Sequence, residues 1–278
     1  AKINPFGAEL SSLRTPDGAE LMTNADPAFW AGRAPLLFPI VGRLMDDCYR
    51  LDGKVYPLPQ HGFARRQSFE CTEQSPNRAV FRLADNAETR AIYPFAFTLD
   101  AAFTLTGATL AMDMTVTNSG EADMPASFGF HPAFAWPLPG GGAKGDHRIQ
   151  FADDEGDLSA IVLGGWMDDK PWPSPLDGRT LPLTDALFER DALVWNPVQS
   201  QAVRYEGEGA ALYITFPDTP ALGIWTKPGA RFVCIEPWHG VADPHGFTQE
   251  IWDKPGILRF APGQSRVFSM QVTLAACR

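Results

Sequence analysis

The residue best placed for chemistry in this sequence is Glu236, in the strand-like segment RFVCIEPWHG. We expect the strand to carry this carboxyl group to its end and to break at Pro237. Strand alternation places Phe232, Cys234 and Glu236 on one face, so the carboxyl group shares its side with apolar neighbours. Burial raises the pKa of a carboxyl group and a nearby cation lowers it, which is how a general base is tuned toward neutral pH. A structural glutamate paired with an arginine is the alternative interpretation.

Two histidines lie in segments that resemble the Glu236 segment in composition. His61 lies in PLPQHGFARR and His131 in SFGFHPAFAWP, each among aromatic residues, glycine and proline. Pro132 favours an extended backbone at His131, and Gly129 allows a bulky group to approach closely, so we expect the His131 imidazole to project from a strand end. Each histidine could exchange protons near neutral pH, or could be a structural residue hydrogen-bonded within the protein.

Other groupings of reactive side chains match their motifs poorly. His239, Asp243 and His245 could each bind a metal, but their spacing fits neither H-E-x-x-H nor a helical pair, so we expect a hydrogen-bonded turn and no metal site. The acidic segment ADDEGDLSA predicts a solvated loop rather than the paired carboxylates of a glycosidase. The segment GGGAKG satisfies G-x-G-x-x-G, but it follows prolines and precedes a strand-like segment, so it predicts no dinucleotide site.

The elements that must position these residues are mainly strands. Apolar and polar residues alternate with period two in TLAMDMTVTN and RVFSMQVTL, and more briefly in AVFRLA, FAFTLDAAFTL and ALYITF. Only LTDALFERDA, residues 183–192, predicts a helix, of two or three turns and capped by Thr184 or Asp185. The 25 Gly and 25 Pro add frequent turns, so the sequence predicts an all-β fold, a large antiparallel β-sandwich.

Length and charge limit the function further. The 278 residues show no linker and no internal repeat, so we expect a single domain over residues 1–278. A formal net charge of −10 opposes binding to nucleic acid or to an anionic membrane surface and favours a small-molecule partner.

Cysteine usage and hydropathy indicate the compartment. The four cysteines are scattered without a C-x-x-C pair, which predicts free thiols in a reducing environment: Cys48, Cys71, Cys234 and Cys277. No apolar run reaches about 18 residues and the first ten residues lack a secretory pattern, so we expect a cytoplasmic protein with no membrane segment.

Four segments together resemble a known family. LFPIVGRL, QHGFAR, FGFHPAFAWP and CIEPWHG, in their order and spacing along the chain, are similar to the aldose 1-epimerase (galactose mutarotase) family, and in particular to its LacX-like branch. The resemblance extends from GAEL at Gly7 to the last strand. It implies the large antiparallel β-sandwich called a supersandwich, with an open sugar cleft across one sheet.

The resemblance also implies roles for individual residues. His131 of GFHP would be the general acid and Glu236 of IEPW the general base. The residues that would bind the sugar are His61 of QHGF, Arg43 of VGRL, Arg65 of HGFAR and Trp225 of LGIWT. The sequence departs from the galactose-specific enzymes at a cleft aspartate that holds sugar hydroxyls, for which no counterpart is recognisable.

These roles predict an isomerase that interconverts the α and β anomers of a free aldohexose without cofactor or metal, as a monomer or homodimer. We expect cationic Arg and His to keep Glu236 ionised, and its charge to keep His131 protonated. Two alternatives remain open. One is a hexose-6-phosphate 1-epimerase, in which Arg65, Arg66 and Lys227 would bind the phosphate. The other is a sugar-binding or sensor domain without turnover.

Overall fold

The computed structural model describes residues 1–162 and 164–275, which consist mainly of β-strands. The strands are, in chain order, β1 (Lys2–Asn4), β2 (Glu9–Ser12), β3 (Leu36–Leu37), β4 (Cys48–Leu51), β5 (Lys54–Pro57), β6 (Glu70–Gln74), β7 (Arg78–Ala84), β8 (Phe97–Thr106), β9 (Thr109–Asn118), β10 (Met124–Ala126), β11 (Phe128–Phe130), β12 (Ala133–Ala135), β13 (Arg148–Phe151), β14 (Leu158–Val162), β15 (Trp166–Trp172), β16 (Thr180–Pro182), β17 (Leu193–Trp195), β18 (Ala202–Gly207), β19 (Ala210–Thr215), β20 (Ala221–Trp225), β21 (Phe232–His239), β22 (Leu258–Phe260) and β23 (Ser265–Ala275).

Helices are short. One α-helix, α1 (Ala87–Ile92), begins at a reciprocal cap in which the Asn86 side chain accepts from the Thr89 N–H and the Thr89 hydroxyl accepts from the Asn86 N–H. The described 3₁₀ turns are Met45–Asp47, Ala64–Arg66, Lys144–Asp146, Asp185–Phe188 and Ile251–Asp253.

The predicted helix over residues 183–192 is wrong. Only the four residues of the Asp185–Phe188 turn are helical there, and Thr184 precedes the turn without a side-chain cap. The chain then passes through Asp191, whose φ of 114° lies outside the helical region, and enters β17 two residues later. Pairing of β17 with β20 in the sheet therefore overrides the local helical pattern.

Two large antiparallel sheets form the body of the molecule. One has nine strands in the order β16-β13-β18-β19-β23-β9-β8-β7-β6. The other has six strands, in the order β17-β20-β21-β11-β3, with β12 pairing with β21 as well. The predicted all-β fold of large antiparallel sheets is thus confirmed.

Alternation along the strands joins the two sheets through one core. On β9 the side chains of Leu110, Met112 and Met114 are buried, and they belong to the same apolar cluster as Val233 and Ile235 of β21. One face of β21 therefore packs toward the nine-stranded sheet, as in other sandwiches. Its opposite face carries Glu236, between two smaller apolar clusters that contain Cys234 and Trp238.

The expected break at Pro237 is wrong, because strand β21 continues to His239. Pro237 lacks an N–H donor, and it is tolerated because the strand on that side is interrupted. That neighbouring strand consists of β11, which ends at Phe130, and β12, which starts at Ala133. The two residues between these strands are His131 and Pro132 of the GFHP segment.

The interruption places His131 opposite Glu236. Gly129 pairs with Trp238 and Ala133 pairs with Cys234, so both pieces keep the same register on β21. Continuing that register across the gap brings His131 level with Glu236. The expectation that His131 projects from a strand end is therefore confirmed.

Glycines on both neighbours of β21 make room for a tryptophan. A Cβ atom on Gly129 would lie 2.8 Å from Cδ1 of Trp238, and a Cβ atom on Gly223 would lie 2.8 Å from its Cζ2. The bulky group expected near Gly129 is therefore the Trp238 indole, which extends across the sheet beside Glu236.

Three cysteines, Cys48, Cys71 and Cys234, carry free thiols, and Cys277 lies outside the described residues. Within residues 1–162 and 164–275, the structure contains no helix that is both long and apolar enough to cross a membrane.

Candidate active site

A cavity of about 300 Å³ opens over the face of β20 and β21 that points away from the main core. This volume is at the lower end of the range of about 300–1,000 Å³ for small-molecule sites. Five of the six predicted site residues line it: His61, Arg65, His131, Trp225 and Glu236.

Glu236 and His131 face each other inside the cavity. Oε2 of Glu236 lies 3.2 Å from Nε2 of His131, within ion-pairing distance but without the alignment of a hydrogen bond. Glu236 is 1% exposed and His131 is 8% exposed. Neither Glu236 Oε2 nor His131 Nδ1 has a hydrogen-bond partner in the described part of the protein. Both atoms are buried as well as unpartnered, so the pair is left unsatisfied in the empty protein.

Burial sets the protonation of this pair. It lowers the pKa of His131 to about 3 and raises the pKa of Glu236 well above its ordinary value, with the charge of Asp191 acting in the same direction on Glu236. Both shifts run against the expected pair of an ionised Glu236 and a protonated His131, because desolvation disfavours both charged forms. Burial therefore shifts the empty pair toward a protonated carboxyl group beside a neutral imidazole.

His61 is held in one tautomer by the backbone of Gly42. The backbone N–H of Gly42 donates to Nδ1 of the His61 ring over 3.1 Å, and the backbone N–H of His61 donates to the Gly42 carbonyl over 2.8 Å. Burial lowers the pKa of His61 well below its ordinary value. Neutral His61 thus carries its proton on Nε2, which makes this atom a hydrogen-bond donor.

Aromatic rings surround His131. The Trp30 ring stacks on the imidazole with centroids 4.9 Å apart, and Trp225 meets it edge-on at 5.8 Å. The His61 ring lies 5.7 Å away at an interplanar angle of 90°. The imidazole is therefore fixed in orientation and largely dry, which accounts for its lowered pKa.

Arg43 is the predicted site residue that the structure does not bring to the cavity. Its guanidinium makes two hydrogen bonds to Asp47, donates to the Gly164 carbonyl and lies over the Trp166 ring. Asp47 follows Arg43 by four residues within a 3₁₀ turn, and this local ion pair turns the guanidinium toward the exterior. Only the aliphatic stem lies near the cavity, about 3.9 Å from a Cβ position on Gly165.

Asp191 lines the cavity, although the sequence analysis did not find it. It remains exposed at the rim, two residues before β17, and its φ of 114° is strained for a residue other than glycine. The predicted helix over residues 183–192 concealed it. The signal that could have revealed it is an acidic residue two positions before LVW, a buried strand of the same sheet as Glu236.

Among the described residues, one group of side chains has the spacing to hold a metal ion. The ligand atoms of His131, Cys234 and Glu236 all lie within 4.8 Å of one another. Burial raises the pKa of the Cys234 thiol well above its ordinary value, which opposes the thiolate form that a metal would require. His239, Asp243 and His245 contact different partners. Asp243 pairs with Lys254, the His239 ring packs on Phe268, and the His245 ring lies against Trp166.

Comparison with known proteins identifies the family to which this fold and cavity belong. The model of the aldose 1-epimerase family matches residues 1–254. This chain therefore belongs to the aldose 1-epimerase family.

Individual relatives agree with this assignment. The chromosomal protein LacX of Lactococcus lactis subsp. lactis is 31% identical over 285 residues, covering 98% of this chain and 95% of LacX. A galactose mutarotase related enzyme from Lactobacillus acidophilus superposes with a TM-score of 0.92 at 32% identity, covering 99% of this chain and 93% of its own. A galactose mutarotase-like protein from Lactobacillus casei gives a TM-score of 0.91 at 31% identity, covering 98% and 96%.

Proposed function

We propose that this protein is an aldose 1-epimerase that interconverts the α and β anomers of an unphosphorylated six-carbon aldose. The observation that carries the proposal is the buried pair of Glu236 and His131, which face each other at 3.2 Å in a cavity of monosaccharide size and each have a buried atom without a hydrogen-bond partner. Family membership supports a sugar as the substrate.

The proposed reaction needs one base and one acid. The Glu236 carboxylate takes the proton of the C1 hydroxyl, the C1 carbonyl forms, the bond between C1 and the ring oxygen breaks, and His131 donates a proton to that oxygen. The C1–C2 bond then rotates, and the C5 hydroxyl attacks the other face of the carbonyl while both proton transfers run in reverse. Protons balance at each step, and no step uses a cofactor.

The protonation of the empty site fits this cycle. A protonated Glu236 beside a neutral His131 is the state that both groups reach when the sugar ring is open. Transfer of the single shared proton from Glu236 to His131 gives the state that attacks the closed ring, so no proton has to be exchanged with solvent. Burial would favour the same neutral pair in the empty site and at the ring-opened stage.

Other residues of the cavity would orient the sugar. His61 offers its Nε2–H to a hydroxyl, Trp225 offers an apolar face, and the Asp191 carboxylate at the rim accepts from hydroxyl groups. We propose Asp191 for the role of the cleft aspartate that the sequence did not reveal.

A phosphorylated substrate receives less support. Of the three cationic residues considered for a phosphate, only Arg65 lines the cavity; Arg66 is exposed, and Nζ of Lys227 donates to the Phe29 carbonyl. A sensor without turnover also receives less support, because a buried acid and imidazole with unpartnered atoms cost stability that sugar binding alone does not require.

The test is anomer exchange measured by proton NMR with glucose, galactose and their 6-phosphates. Glu236→Gln and His131→Ala should each lower kcat/KM by about 10²–10⁴-fold, the range for loss of a general acid or base. The matched control is His245→Ala, an exposed histidine outside the cavity, which should stay within about twofold of wild type. Either site variant that folds and retains more than about a tenth of the wild-type rate would remove its residue from the mechanism.

A further inference from the structure

Arg65 is a partly desolvated cation in the cavity whose charge is not balanced by the protein. Its Nε is buried and has no hydrogen-bond partner, and its Nη2 donates to the Gln60 carbonyl over 2.8 Å. It forms no ion pair with a carboxylate in residues 1–162 and 164–275. Burial lowers its pKa, and Arg66 adds to the effect.

Arg65 differs from the other arginines of the described chain, because it alone has a buried side-chain nitrogen without a hydrogen-bond partner. Nine arginines of the described chain pair with an aspartate or glutamate, although most of them lie on the surface: Arg14, Arg43, Arg78, Arg82, Arg90, Arg148, Arg179, Arg204 and Arg259. A guanidinium removed from water is stabilised by a bidentate anion. Arg65 lacks such a partner at the place where a ligand would bind.

The position of Arg65 indicates which substituent of a bound pyranose it would contact. Through Gln60, the guanidinium is anchored beside His61, and the His61 ring lies 5.7 Å from the His131 ring. In the proposed reaction His131 faces the ring oxygen. The ring oxygen is bonded to C5, which carries C6, so the substituent at C6 would extend along this wall toward Arg65.

We propose that the substrate is a hexuronate, a six-carbon aldose with a carboxylate at C6, and that Arg65 binds this carboxylate. The inference rests on the proposed epimerase function and narrows its substrate. A single guanidinium matches a singly charged carboxylate in a bidentate geometry. A phosphate dianion fits less well, because Arg65 is the one Lys or Arg side chain among the described residues lining a cavity that also contains Asp191 and Glu236.

The experiment compares galacturonate and glucuronate with galactose, glucose and their 6-phosphates by NMR exchange, each rate corrected for spontaneous mutarotation. Wild type should show a kcat/KM for one uronate at least about tenfold above that of the matching hexose, as expected for a charge-assisted contact. Arg65→Gln should bring this uronate-to-hexose ratio close to one. Arg66→Gln removes the adjacent exposed charge and should leave the wild-type ratio unchanged.

Each remaining outcome decides against the inference. A hexose turned over as well as or better than its uronate, or a ratio that Arg65→Gln leaves unaltered, would overturn the carboxylate assignment while the epimerase function stands. A preference for the 6-phosphate that Arg65→Gln abolishes would replace the carboxylate with a phosphate. Acceleration of none of these sugars would instead count against the proposed function itself.

Discussion

Two buried pairs of an acid and a basic side chain lie within residues 1–162 and 164–275, and they are constructed differently. Nζ of Lys254 donates to Asp243 Oδ1 over 2.8 Å and to the Val241 carbonyl over 2.7 Å, and Asp243 Oδ2 accepts from the Met45 N–H over 2.9 Å. The pair of His131 and Glu236 is equally buried, but it has a single contact at 3.2 Å and two unpartnered atoms.

The difference shows how burial can serve either stability or chemistry. In the first pair each charged group is hydrogen-bonded on more than one side, so Lys254 and Asp243 hold together the segments around residues 45, 167, 241 and 254. In the second pair Glu236 and His131 line a cavity, and each has hydrogen-bonding capacity that the protein does not meet. An unsatisfied buried pair is costly in the empty protein, and a bound sugar would supply the missing partners.

The largest expected effect comes from breaking the satisfied pair. Asp243→Asn leaves the Lys254 ammonium buried without a counter-charge, and loss of one partner of a buried pair costs about 3–5 kcal/mol of unfolding free energy. Thermal unfolding followed by circular dichroism should show a Tm lowered by roughly 10 °C.

The matched control for that variant is Asp100→Asn on the surface. Asp100 pairs with Arg82 between β7 and β8, where Arg82 is half exposed, and an exposed pair contributes about 0–1 kcal/mol. Equal losses of Tm in Asp243→Asn and Asp100→Asn would contradict the distinction between a buried structural pair and a surface pair.

A smaller effect of opposite sign is expected at Glu236. Its pKa is raised on folding, so the stability that it contributes is present below the unfolded value of about 4.5 and is lost as pH rises through the folded value. Glu236→Gln should therefore be more stable than wild type at neutral pH, on the order of 1 kcal/mol, and this advantage should disappear near pH 4. Denaturant unfolding at both pH values measures it, and a lower stability at neutral pH would show that the unsatisfied carboxyl group carries no cost.

The strands of this fold could be predicted from the sequence, because the signal and the structure have the same period. In β9 every second residue from Leu110 to Val116 is buried, as the alternation requires. The predicted helix over residues 183–192 was wrong because its local pattern carries no information on the pairing of β17 with β20. That pairing in the sheet competes with helix formation. The short α1 was missed because six residues give little periodicity.

The candidate site was predictable where motif residues lie on regular strands and less so elsewhere. His131 and Glu236 meet because the register of β21 with its interrupted neighbour brings them level. The direction of the Arg43 side chain depends on a local ion pair with Asp47. The position of Asp191 at the cavity depends on its own positive φ, two residues before a strand. The protonation of the pair depends on how completely the cavity walls exclude water, which is a property of the packed structure.

The smallest expected effect is a kcat/KM that is not lost on the acid side of neutral pH, and it tests the chemistry of the pair of His131 and Glu236. Turnover requires one proton shared by His131 and Glu236, and it stops on the acid side when a second proton binds. Because burial lowers the pKa of His131 to about 3, kcat/KM should not fall by more than about twofold as pH drops from 7 to about 5. His61 has its pKa lowered as well, so it adds no loss in this range.

The control for this profile is the folded fraction at each pH. Buried histidines whose pKa is lowered bind fewer protons in the folded state than in the unfolded state, so the free energy of unfolding falls as pH drops below about 6.5. Circular dichroism at each pH must therefore show that the protein is still folded. With that established, a loss of kcat/KM centred near pH 6.5 would mean that His131 titrates as an exposed imidazole does, and that the empty pair is not held neutral by burial.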